Sequence, residues 1–169
     1  MVICVSGIPG TGKSALSRIL SRELRYKNID VNLLIKRHHL YDYYDRHLKE
    51  YVVDTKKLNK YIIKVVKKNN KILIDSHLSH YLPSKYVDLC VITKCSLSKL
   101  KQRLEKRKYS EKKIRENLDS EIFDICLNEA KEKKHNVFVI NTTRGISKQA
   151  ITQLLGELNG IKSSGTRAK

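Results

Sequence analysis

The chain has 169 residues, enough for one hydrophobic core but short for two. Hydrophobic residues make up 40% of it, but the longest unbroken apolar runs are only four or five residues, such as Met1 to Val5, which excludes a membrane-spanning helix and predicts a soluble protein. Thirty-five Lys and Arg against 17 Asp and Glu leave a net charge of +18, a field that attracts polyanions such as RNA, although an evenly solvated lysine surplus gives the same number.

Met1 to Val5 reads as a buried strand that runs directly into a glycine loop, with no cationic leader or long apolar stretch before it. No signal peptide is therefore expected, and the predicted location is the cytoplasm. The cysteines Cys4, Cys90, Cys95 and Cys126 form no CxxC pair and read as small hydrophobes rather than metal ligands. Leu16, Ile19, Leu20 and Leu24 fall at helical spacing and predict a helix over 13–24. Val31 to Ile35 predicts a second strand, and the tyrosine-rich, charged stretch from Lys36 to Glu50 shows no clean period.

Leu58, Ile62, Val65 and Val66 mark one face of a lysine-rich helix over 56–68, and Asn69-Asn70 offers a turn into a buried strand ending at Asp75. An irregular loop with Pro83 is expected over 76–85, then a strand over 87–93 and a helix over 98–106. Ile114, Leu118, Ile122 and Ile125 predict one long helix within 109–131. Asn136 to Ile140 reads as the last strand, and a final helix is expected over 147–158. Gly160 to Lys169 is small, polar and basic, which predicts a disordered tail after a single domain over 1–160. Apolar strands alternating with helices give an α/β class with a parallel sheet covered on both faces, a three-layer α/β/α sandwich of five strands. Its site belongs at the carboxyl ends of the strands.

Gly7-Ile8-Pro9-Gly10-Thr11-Gly12-Lys13-Ser14 matches GxxxxGK[ST] between a strand and a helix, the setting in which backbone N–H groups close around phosphate. Gly7, Gly10, Thr11, Gly12 and the following Ala15 belong to that ATP-binding cradle; Lys13 would reach the β- and γ-phosphates, and the Ser14 hydroxyl would bind Mg2+. Asp75, ending a neighbouring strand, is the expected second magnesium ligand. His77 would lie near the γ-phosphate, able to orient water or an acceptor, whereas His80 reads as an ordinary loop residue. Arg103 and Arg107 are four apart and are expected on one helical face, one able to stack on a base and the other to stabilise charge on the transferred phosphate. A solvated basic helix is the plainer alternative.

These residues carry a resemblance. GIPGTGKS at 7–14, Leu40-Tyr41-Asp42-Tyr43-Tyr44-Asp45, Val53-Asp54, Ile74-Asp75-Ser76-His77 and RLEKRKYSEKKIRENLDSEIF at 103–123 are similar to the adenylate kinase isoenzyme 6 family, P-loop nucleotide kinases and ATPases also implicated in small ribosomal subunit maturation. The resemblance implies a nucleoside monophosphate kinase-like fold with a monophosphate-binding insertion over about 28–51 and a short lid over about 106–116 that closes over ATP. It implies Lys36, Arg37 and Asp54 as acceptor-binding residues, Arg107 as the lid arginine, and Asn141 and Thr142 beside the adenine. It further implies AMP or a related monophosphate as acceptor, and a small-subunit ribosomal protein and rRNA as partners. The chain departs from ordinary adenylate kinases in lacking an Asp-Gly-Phe-Pro-Arg motif after the third strand, so an acceptor-clamping arginine is missing there. Ala15 stands where Thr is common, and the acceptor segment is rich in Lys36, Arg37, His38, His39, Arg46 and His47 where acid is frequent. An ATP-driven assembly switch with little kinase activity, and a P-loop kinase for another small molecule, are the alternatives.

Overall fold

In chain order, the elements are β1 (Val2–Ser6), α1 (Lys13–Leu24), β2 (Lys27–Asp30), α2 (Val31–Arg37), β3 (Tyr43–Asp45), β4 (Glu50–Val52) and α3 (Thr55–Lys67), followed by β5 (Ile72–Asp75), β6 (Leu89–Lys94), α4 (Leu97–Lys106), α5 (Glu111–Ile122), α6 (Ile125–Glu132), β7 (Val137–Asn141) and α7 (Lys148–Gly165). This computed structural model describes residues 1–46 and 50–165. Residues 47–49 of the expected monophosphate-binding segment, His47 among them, and 166–169 of the expected tail lie outside the described residues.

The five long strands form a parallel sheet in the order β2-β5-β1-β6-β7, and β3 and β4 make a separate antiparallel pair. The pleat decides the layers, because successive side chains point to opposite faces. Ile3, Val5, Leu73, Leu89 and Val91 meet Leu16 and Leu20 of α1 and Leu154 and Leu158 of α7 on one face. Val2, Cys4, Ile72, Ile74, Cys90 and Ile92 meet α2, α3, α4, α5 and α6 on the other, through Ile35, Leu58, Leu100, Ile114 and Ala130. Both faces are therefore covered, which is why the strands read as unbroken apolar runs. A side chain such as Leu16, fully buried, contributes about 1.5–3 kcal/mol. All four cysteines are buried and free.

Parallel pairing sets β1 and β5 in register, Val5 opposite Asp75, and β1 and β6 in register, Ser6 opposite Ile92. The carboxyl ends of β1 and β5 thus emerge side by side, which brings the glycine loop next to the acid.

Four expectations are corrected. Val31 to Ile35 is a helix rather than a strand: the Asp30 carboxylate accepts the N–H groups of Asn32 at 2.8 Å and Leu33 at 3.2 Å and starts α2, while Lys27–Asp30 supplies the sheet partner of β5. The single helix expected within 109–131 is two, because Asp124 adopts a left-handed conformation (φ 52°) between α5 and α6. The irregular loop over 76–85 contains two short 3-10 turns, Ser79–Tyr81 and Ser84–Tyr86. The last helix runs on to Gly165 rather than ending near Leu158, so 161–165 are helical where a disordered tail was expected, with Ile161 packed against the core.

Candidate active site

The glycine loop is shaped by backbone that an L side chain rarely adopts. Gly7 has φ 137°, and a Cβ there would stand 2.5 Å from the Thr93 carbonyl oxygen, so β1 and β6 approach too closely for any other residue. Gly12 begins α1 with φ 98° and offers no side chain to cap it, and the first turn carries no acid. The helix N-terminus therefore faces the cleft with its dipole unopposed, a favourable place for an anion.

Side chains behind the loop hold it in shape. Thr11 Oγ1 lies 2.7 Å from Thr93 Oγ1 and donates to the Ile8 carbonyl at 2.7 Å. Thr142 Oγ1 donates to the Thr11 carbonyl at 2.5 Å. Arg103 donates to the Gly10 carbonyl at 3.1 Å, to Thr142 Oγ1 at 3.1 Å and to the Thr142 carbonyl at 2.7 Å. Its fork thus joins α4, the glycine loop and the segment after β7.

In front of the loop lies a cleft of about 840 Å³. Lys13, Ser14, Asp75, His77 and Arg107 line one part of it, and Asn32, Lys36, Tyr44 and Tyr51 another. Lys113 and Asn117 of α5 also reach it. Lys13 Nζ donates to the Ile8 carbonyl at 3.0 Å, and its pKa is pushed down to about 8, chiefly by desolvation, against the attraction of Asp75. Burial raises the Asp75 carboxyl, opposed by a hydrogen bond from Ser14 and by the Lys13 charge. His77 keeps access to water, yet the surrounding walls first, then Lys13, His80 and Lys113, hold its imidazole well below its ordinary value. It is neutral at pH 7, with one ring nitrogen able to accept a hydrogen bond.

A buried carboxylate hydrogen-bonded to an adjacent Ser hydroxyl, both facing the cleft, is an oxygen donor pair that suits a hard divalent cation. Ser14 and Asp75 thus fit magnesium.

The structure separates the remaining expected residues. Arg103 and Arg107 do not share a helical face: α4 ends at Lys106, Arg107 is its C-cap residue and opens onto the cleft, and the Arg103 guanidinium is turned to the loop carbonyls. Thr142 is 1% exposed and braces the loop, while Asn141 is exposed and its Oδ1 accepts the Thr143 N–H at 2.9 Å. Ala15 lies exposed in the first turn of α1, and Lys36 lines the cleft, but Arg37 and Asp54 do not. Asp54 instead caps α3, accepting the Lys56 N–H at 2.8 Å. The spacing of Tyr44, Tyr51, Lys113 and Asn117 gave no sign of the cleft; Tyr44 and Tyr51 meet only because β3 pairs with β4, their ring centroids 5.0 Å apart and Lys36 Nζ 5.5 Å from the Tyr51 ring.

A family model described as an AAA domain matches residues 3–124, most of the chain. The protein named "Putative adenylate kinase" from Methanocaldococcus jannaschii is 39% identical over 143 residues, 85% of this chain and 77% of its own. An adenylate kinase isoenzyme 6 homolog from Schizosaccharomyces pombe is 38% identical over 77% of this chain and 74% of its own, and one from Dictyostelium discoideum is 30% identical over 82% and 78%. Among solved structures, shikimate kinase from Acinetobacter baumannii superposes with a TM-score of 0.63 at 15% identity, covering 96% of this chain and 93% of its own. Deoxyadenosine kinase from M. mycoides superposes at 0.59 and 16%, covering 94% and 100%. At those identities the structures establish the three-layer kinase fold alone. The sequence relatives go further: this chain belongs to the adenylate kinase isoenzyme 6 family of P-loop nucleotide kinases.

Proposed function

We propose that the protein transfers the terminal phosphoryl group of ATP to AMP or a related nucleoside monophosphate. The observation that carries this reading is one continuous cleft, in which the phosphate-side residues Lys13, Ser14 and Asp75 are continuous with a second wall of Lys36, Tyr44 and Tyr51 that can take another nucleotide. The glycine loop and the α1 N-terminus hold the β- and γ-phosphates, and Lys13, protonated at neutral pH despite its lowered pKa, balances their charge. Ser14 and Asp75 would hold magnesium, which would supply charge neutralisation to the phosphates when bound. Lys36 directs the acceptor phosphate, and Arg107 stabilises the charge that builds on the transferred group. An acceptor phosphate oxygen attacks the γ-phosphorus as the bond to the β-phosphate oxygen breaks, giving ADP and a nucleoside diphosphate. His77, neutral, orients the attacking oxygen. Segment 106–116, the turn between α4 and α5 and the start of α5, closes over ATP and excludes water.

The test is an acceptor panel of AMP, CMP, UMP and dAMP with a no-acceptor control. ADP formation accelerated by at least one monophosphate is expected; an unchanged rate with all four would sink the kinase reading and leave an ATPase.

A second activity in small ribosomal subunit maturation, driven by ATP hydrolysis and by contacts with a ribosomal protein and rRNA, is favoured by how charge is distributed. Residues 55–74 hold seven lysines and no acid, whereas 111–132 hold seven acids and four basic residues. On α3, Lys56, Lys60 and Lys64, with Lys68 at the C-cap, repel one another at i,i+4 spacing, each pair costing about 0.2–0.5 kcal/mol. An even lysine surplus would not segregate in this way, and a polyanion would relieve the repulsion. With Leu58, Ile62 and Val66 buried, α3 has no apolar face left for a lipid surface. Titrating a single-stranded RNA oligonucleotide should give a salt-dependent affinity that the triple variant Lys60→Glu/Lys64→Glu/Lys67→Glu weakens about tenfold or more. A triple charge reversal on α6 and α7 that weakened it equally would contradict a role for α3.

A further inference from the structure

Behind the glycine loop, away from the cleft, lies a set of polar side chains without a part in the scheme above. Ser6 Oγ lies 2.7 Å from His80 Nδ1, and His80 Nε2 lies 2.7 Å from Glu129 Oε2. Tyr81 donates its hydroxyl to the other oxygen of Glu129 at 2.8 Å, and His135 Nε2 donates to the His80 carbonyl at 2.9 Å. The series Ser, His, Glu has the connectivity of a hydrolytic relay. Ser6 is 0% and His80 1% exposed, however, so no substrate reaches the hydroxyl and a nucleophilic role is excluded.

What the network touches is more telling. Ser6 is the last residue of β1, immediately before Gly7, and its carbonyl accepts the Thr93 hydroxyl at 3.2 Å. Its own hydroxyl also lies 3.3 Å from the His77 carbonyl. One side chain therefore bridges the start of the phosphate loop and the main chain of the histidine that lines the cleft. A hydroxyl has a single proton, so its two neighbours compete for it. If His80 carries its proton on Nε2, pointing at Glu129, then Nδ1 is bare and takes the Ser6 proton. If the ring turns to the other tautomer, Nδ1–H donates to Ser6 and the Ser6 proton swings to the His77 carbonyl. Burial disfavours the doubly protonated ring, with Glu129 opposing, so the choice lies between these tautomers.

We infer that Glu129, on α6 and outside the cleft, is a positioning residue for phosphoryl transfer: it fixes the Nε2–H tautomer of His80, whose bare Nδ1 holds the Ser6 hydroxyl and so fixes the chain immediately before Gly7, while the held imidazole anchors the turn that follows His77. This rests on the reading of His77 as a group that faces the reacting phosphate. The same acid receives Tyr81, so its two oxygens hold two successive residues of the turn after His77.

The experiment compares Glu129→Ala with Glu129→Gln, whose amide oxygen can still accept Nε2–H. Turnover and the KM for ATP are measured well below the melting temperature of each variant. Glu129→Ala is expected to lower kcat about tenfold, as small misplacements near reacting groups do, with KM for ATP within about twofold, and Glu129→Gln to recover most of the loss. Imidazole 15N NMR should show His80 protonated at Nε2 in the wild type and in Glu129→Gln, and mixed in Glu129→Ala. Wild-type kcat in folded Glu129→Ala, a Gln variant as impaired as the Ala variant, or His80 protonated at Nδ1 in the wild type would each overturn the inference. A parallel His77→Ala variant separates the two readings. If it turns over normally, the cleft role of His77 fails; if it is impaired while Glu129→Ala is normal, only the positioning role fails.

Discussion

The two walls of the cleft are made of different material. The wall at the glycine loop is main chain: Gly7 and Gly12 at positive φ, the uncapped start of α1, and carbonyls pinned by Arg103, Thr11 and Thr142. The opposite wall is made of side chains of α2 and of the β3–β4 pair, where Tyr44 is 46% exposed and Lys36 hangs over Tyr51. A backbone cradle has one shape and accepts one kind of ligand, a polyphosphate. A wall of exposed aromatic and basic side chains can be retuned residue by residue, so under the proposed function the phosphate donor would be fixed by the fold and the acceptor by a few substitutions.

Variants that break the phosphate wall should have the largest effects. Lys13→Ala removes the ammonium facing the phosphates and is expected to lower kcat/KM by about 10³-fold or more, read by ADP formation. Asp75→Asn keeps the shape and loses the charge that would hold the metal: turnover should fall by about 10²-fold while ATP affinity, measured by titration, stays within about tenfold. On the other wall the expected change is smaller and of another kind. Lys36→Ala should raise the KM for the monophosphate about tenfold and leave the KM for ATP unchanged. A rise in both constants would mean that the two walls are not separable.

The smallest effect is on stability without nucleotide. Lys13 titrates at about 8 in the folded chain against an ordinary 10.5. Between those values the unfolded chain holds a proton that the folded chain has released, so stability rises with pH across that window. The difference in unfolding midpoint between wild type and Lys13→Met should therefore rise from pH 8 to pH 10, and a flat difference would show that the ammonium is not desolvated.

The same division explains what could be read in the sequence. GIPGTGKS announces its own geometry because a phosphate loop needs glycine at given positions, and the apolar strands announce a doubly covered sheet. Asp75 followed from its place at a strand end. Val31 to Ile35 misled because a β-branched apolar run is compatible with either state, and the decision lay with one side chain before it, the Asp30 cap. Arg103 and Arg107 misled because the helix that would align them stops at Lys106. His80, a loop histidine by sequence, is buried only because Ser6, 74 residues earlier, and Glu129, 49 later, converge on it. Tyr44 and Tyr51 meet through a strand pair that no local period announces.

The central claim is phosphoryl transfer between two nucleotides held in one cleft. Phosphorus NMR of the protein with ATP, AMP and magnesium tests it directly. The account predicts that AMP and ATP signals fall together as ADP rises at two molecules per ATP consumed, with little free phosphate in the early phase. Free phosphate appearing at the same rate with or without AMP, while AMP stays constant, would contradict it.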